Sequence, residues 1–67
     1  MGNTISLTYD YYGDKSFGRR IFWIEETDDF IWADEIVAWA ERQKRAGNTI
    51  EVTNPKQVPS ELLNQII

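Results

Sequence analysis

Ile21, Phe22, Trp23 and Ile24 are four large apolar residues in a row. Side chains on a strand alternate between its faces, so as a strand this stretch carries Ile21 and Trp23 on one side and Phe22 and Ile24 on the other. Such a strand is central in its sheet, or something covers each of its faces. The flanking chain must therefore supply both hydrogen-bonding neighbours and a layer to pack against it.

Residues 4–9, TISLTY, alternate polar and apolar and read as a first strand with Ile5, Leu7 and Tyr9 on one face. Residues 11–18, YYGDKSFG, supply a turn, Gly13-Asp14 suiting a primed hairpin turn, and RRIFWIEE, residues 19–26, returns as the second strand. From about 29 to 46 the period is helical. Asp28 or Asp29 is placed to cap that helix, and Trp32, Ala33, Ile36, Val37, Trp39 and Ala40 share an apolar sector. Gly47 suits the left-handed residue that ends a helix. Residues 48–54, NTIEVTN, alternate again with Ile50 and Val52 inward, and PSELLNQII closes with a short helix bearing Leu62, Leu63, Ile66 and Ile67.

The expected fold is a single small α+β domain over residues 1–67. It has a three-stranded, mostly antiparallel sheet (β-hairpin, helix, strand) packed by one long helix, plus a short C-terminal helix. The third strand is expected beside the first and antiparallel to it. The expected core is Ile5, Leu7, Ile21, Trp23, Trp32, Ile36, Val37, Trp39, Ala40, Ile50, Val52 and Leu63, with one reservation built into β geometry: a one-residue slip in the second strand exchanges its whole inward set.

Composition narrows function. Sixty-seven residues bury only about 60% of the surface their unfolded chain exposes, so the core has to be dense. Without cysteine or histidine the chain has no disulfide, no thiol nucleophile, no zinc-finger ligand set and no imidazole base. Carboxylates are plentiful, but Phe30, Ile31 and Trp32 interrupt their run and the spacing of a calcium loop is missing. The glycines do not form a phosphate-cradling loop. No apolar run approaches the ~20 residues a membrane span needs, and the expected location is cytoplasmic. The expectation is a protein that is not an enzyme and uses no cofactor or metal.

Residues 24–35, IEETDDFIWADE, set six carboxylates around three apolar side chains. That is the composition of a recognition patch, in which acids steer the encounter and form the rim while an apolar side chain is the desolvated anchor. The candidate protein-binding residues are Glu25, Glu26, Asp28, Asp29, Phe30, Ile31, Asp34 and Glu35, and the partner they suit is a larger protein with a basic surface. One alternative is a homodimer closing the uncovered sheet face or a sheet edge. A second is a single-stranded nucleic-acid binder that stacks bases on Tyr11, Tyr12, Phe17, Phe22 and Trp23 beside Arg19 and Arg20. The net charge of −4 speaks against the latter, because phosphate affinity comes mainly from Lys and Arg. In size and style the whole chain resembles the short, cysteine-free, acidic α+β proteins that bacteriophages and other mobile elements encode. By that resemblance it would bind a host protein and inhibit or redirect it.

Overall fold

A computed structural model describes residues 2–67. The elements are β1 (Thr4–Tyr11), β2 (Arg20–Ile24), β3 (Asp29–Trp32), α1 (Ile36–Arg45), β4 (Thr49–Val52) and α2 (Ser60–Ile66), with short 3-10 turns at Lys15–Phe17, Ala33–Glu35 and Pro55–Gln57. The sheet has four strands in the order β3-β2-β1-β4. β2 is antiparallel to both its neighbours, with Tyr9 opposite Phe22 and Phe22 opposite Ile31. As its apolar run requires, β2 is an inner strand.

The expected three-stranded sheet is thus corrected to four strands, and the reason lies in residues 29–32. Phe30, Ile31 and Trp32 are β-favouring residues, and the polar loop Glu25–Asp28 before them lets the chain fold straight back on β2. The Asp28 amide donates to the Ile24 carbonyl (2.9 Å) to close that loop. Asp28 takes the left-handed conformation there, with φ 55°, and so does not cap a helix. Asp29 starts the strand, the turn at Ala33–Glu35 comes next, and α1 begins only at Ile36.

The extra strand also reverses the direction of the last one. β4 lies beside β1 as expected, yet parallel to it, with Ile5 opposite Ile50 and Leu7 opposite Val52. An asparagine holds each end of that pair. The Asn3 amide donates to Asn48 Oδ1 (3.1 Å), while Asn54 accepts from the Tyr9 amide (2.9 Å) and donates back to the Tyr9 carbonyl (2.8 Å). Asn54 continues the ladder with its side chain where Pro55 ends the strand.

The first hairpin has no two-residue primed turn. Asp14 instead caps the 3-10 turn Lys15–Phe17, and Gly18, at φ 81°, leads the chain out of it. At the end of α1, the Gly47 amide bonds the Lys44 carbonyl and the Asn48 amide the Gln43 carbonyl, with Gly47 at φ 88°, forming a Schellman motif.

The core lies on one face of the sheet. Leu7, Tyr9, Phe22, Ile50 and Val52 pack there with Ile36 and Ala40 of α1, Val58, and Ile66 of α2. Tyr9 and Phe22 meet with ring centroids 4.8 Å apart. The inward pair of β2 is therefore Phe22 and Ile24 rather than Ile21 and Trp23, and Trp32 is likewise on the opposite face. No helix among the described residues is long and apolar enough to cross a membrane.

Candidate functional site

The face of the sheet turned away from both helices is polar along β1 and β4, with Thr8, Asp10 and Glu51, and apolar along β2 and β3. Strand alternation sends Ile21 and Trp23 of β2 and Phe30 and Trp32 of β3 to this open face, and the first hairpin loop adds Tyr12 and Phe17. Five rings form a connected cluster. Tyr12 meets Phe17, Phe30 and Trp32, Phe30 also meets Trp23 and Trp32, and the centroid separations run from 4.9 to 5.8 Å. These are tilted and edge-on contacts, the arrangements that ring quadrupoles favour.

The cluster rests on Ile21, which lies on this face yet has no exposed surface, with Trp32 opposite it in the register. The rings themselves remain accessible: Phe17 is 59% exposed, Tyr12 40% and Trp23 36%. Large apolar side chains scattered singly over a surface need no explanation, but a contiguous group does.

One cation sits in the cluster. The Arg19 guanidinium lies over Trp32, 3.8 Å from the ring centre, and its Nη2 is 3.9 Å from Asp34 Oδ2. Asp10, exposed on β1, alternates onto the same face, and Asp14 sits beside Phe17 in the loop. Asp14 accepts from the Ser16 hydroxyl and from the amides of Phe17 and Ser16, and these bonds to its charged form hold its carboxyl below the ordinary 3.8. The rim is thus mostly anionic.

The eight candidate residues divide. Glu25, Glu26 and Asp28 occupy the exposed β2–β3 loop, Asp29, Phe30 and Ile31 lie on the outermost strand, and Asp34 and Glu35 are in the turn after it. Phe30 joins the rings and Asp34 the rim. Ile31 faces the other way and packs against the core. Two acids have local work: both Glu26 carboxylate oxygens accept from the Ser6 amide (3.0 and 3.2 Å), and Asp29 Oδ1 accepts from the Phe30 amide (2.8 Å). Among the described residues no group of three acids is placed to hold a metal ion.

The aromatic set considered for base stacking divides too. Tyr12, Phe17 and Trp23 are on the open face with Arg19, whereas Phe22 is core and Arg20 lies on the helix side, over Tyr11 (3.9 Å) and bonded to its hydroxyl (2.7 Å). Arg19 and Arg20 are adjacent in a strand direction that alternates, so they do not form one basic stripe. Trp32, which sequence reasoning assigned to a helix and to the core, is the residue most clearly missed. Its shared strand parity with Phe30 would have placed it on the open face had the strand been seen.

A second feature lies on the helix side. An open groove of about 580 Å³ runs between the start of β1, the β2–β3 loop and α1, with Ile5, Ile24 and Trp39 in its walls and Glu26 at its lip. Compared with known protein families, with curated proteins and with solved structures, the chain matches none.

Proposed function

We propose that this protein acts by binding a larger protein through the open sheet face, as an inhibitor or modulator and without catalysis of its own. The observation that carries this reading is the connected five-ring cluster on the uncovered face, bordered by Asp10, Asp14 and Asp34. Aromatic side chains dominate interface energetics when desolvated, and a charged rim sets approach and orientation. Phe17, Trp23 and Phe30 are the anchors, and the acids favour a partner whose own rim is basic. The Arg19 guanidinium stacked on Trp32 beside Asp34 illustrates within the chain how a partner's arginine would be held.

The test compares the immobilised chain with a Phe17→Ser/Trp23→Ser variant and with a helix-side control, Glu41→Gln/Glu61→Gln, in capture from a cell lysate. The expected result is a stoichiometric partner whose retention falls with salt, is lost in the open-face variant and is kept in the control. Equal capture by all three chains refutes the proposal. Sedimentation of the free protein addresses the homodimer alternative: a dimer that the open-face variant converts to monomer assigns the face to self-association instead.

A further inference from the structure

We infer that the outer edge of β4, with the shelf formed by Pro55, Leu63 and Ile67, is a docking groove for an extended, basic segment of a partner protein, added to the sheet as a fifth strand. This surface lies at the opposite side of the sheet from β3 and shares no residue with the aromatic cluster.

Half of the β4 backbone is directed away from the sheet. The Thr49 amide donates to the Asn3 carbonyl and the Thr53 amide to the Leu7 carbonyl, each at 2.8 Å, so residues 49, 51 and 53 turn their polar groups toward β1. In a parallel pair alternate residues face the neighbour, and Ile50 and Val52 therefore aim their N–H and C=O groups away from it. Among the described residues β4 has no other strand neighbour, and nothing bonds these groups on the outer side.

The other edge is different. The Glu25 amide bonds the Ser6 carbonyl, so odd-numbered β2 residues face β1, and in the observed register Phe30 and Trp32 direct their backbone outward from β3. Phe30 has its amide taken by Asp29 Oδ1. An edge strand left open invites pairing, and native sheets block edges with such devices. Here one edge is partly blocked and the other is not.

Space and side chains then define the occupant. An open groove of about 350 Å³ runs along Thr49–Val52, walled on the helix side by Pro55, Leu63 and Ile67. Outward groups on Ile50 and Val52 are two residues apart, roughly 6.6 Å, which is the repeat of an extended chain and matches no helix. On its helix side such a strand meets apolar surface, so its residues there are apolar. Its alternate residues lie beside Glu51, which is exposed on the open face, so they are lysine or arginine.

The same geometry argues against a second copy. In the antiparallel register that best overlaps two β4 strands, Ile50 pairs with the partner copy's Val52 and Glu51 falls opposite its own equivalent. Like charges directly opposite are destabilising, and the net charge of −4 adds to the repulsion.

The experiment titrates the isotopically labelled protein with two capped hexapeptides, one alternating lysine with valine and one alternating glutamate with valine, monitoring amide shifts and hydrogen exchange. The lysine–valine peptide is expected to shift and protect the Ile50 and Val52 amides at least tenfold, and the glutamate–valine peptide to do so far less. Glu51→Lys, an exposed substitution that leaves the ladder intact, is expected to weaken the lysine peptide about fivefold and to favour the glutamate one. Shifts centred on Trp23 and Phe30, equal binding of both peptides, or protection of Ile50 and Val52 that grows with protein concentration alone would each overturn the inference.

Discussion

Replacing Phe22 and Trp23 separately by alanine tests which face of β2 is the core. Phe22 has no exposed surface and lies in a cluster with Leu7, Tyr9 and Ile36, so its removal leaves a cavity that the short helices and short strands cannot readily close. Such a deletion costs about 3–5 kcal/mol. A chain of 67 residues has a total stability of about 3–10 kcal/mol, so Phe22→Ala is expected to lose from about a third to all of it. Trp23 is 36% exposed and its removal leaves no enclosed cavity, so Trp23→Ala, which gives up on the order of 100 Å² of buried area and the ring contact with Phe30, is expected to cost about 2–3 kcal/mol. Urea titration monitored by far-ultraviolet circular dichroism measures both, with the midpoint compared at constant slope. Phe22→Leu, expected to cost about 1 kcal/mol, provides a graded value if the alanine variant does not fold. The face assignment is refuted if Trp23→Ala destabilises as much as Phe22→Ala.

The turns carry three further expected outcomes. Gly47→Ala is expected to cost about 1 kcal/mol in thermal unfolding. At φ 88° the added Cβ meets no atom within 4 Å, so the loss is conformational alone, and an unchanged midpoint would contradict it. Asp28→Gly is expected to act oppositely, raising stability by about 0.5 kcal/mol by relieving a left-handed residue that has a Cβ, and a drop would show that its side chain does unseen work in the loop. Because the Ser16 hydroxyl and two amides favour ionised Asp14, its contribution is fully present above 3.8 and disappears as pH falls through its lower folded-state value. Carbon-detected titration should show Asp14 protonating below 3.8 and shifting upward in Ser16→Ala, and protonation at or above 3.8 in the parent chain would negate this.

The parts that sequence reasoning reached share one property: a single residue period sufficed to define them. β1 and β4 alternate polar with apolar, the apolar residues of α1 recur at helical spacing, and Gly47 marks the end of that helix. β3 was hidden because its two faces are both apolar, Ile31 toward the core and Phe30 and Trp32 toward the open side, so no polar residue marks the alternation. Trp32 also happens to sit in phase with Ile36 and Trp39, and the acids before it imitate a helix cap. Missing that one strand had two consequences. It reversed the expected direction of β4, and it left Trp23 and Trp32 in the core when they belong to the outer cluster. The candidate site was legible in its chemistry, aromatic rings with acids beside them, and not in its geometry.

The asparagine clips on β4 bear on how the sheet is completed. β1, β2 and β3 are joined by short loops and form a local meander, whereas β1 meets β4 only after β2, β3 and α1 intervene. Closing so long a stretch of chain has an entropic cost that only the contacts made on pairing offset, so the β1–β4 pair is the least local part of the sheet. Asn48 and Asn54, gripping β1 at both ends, fix where the arriving strand stops and penalise one that lands a residue out of step.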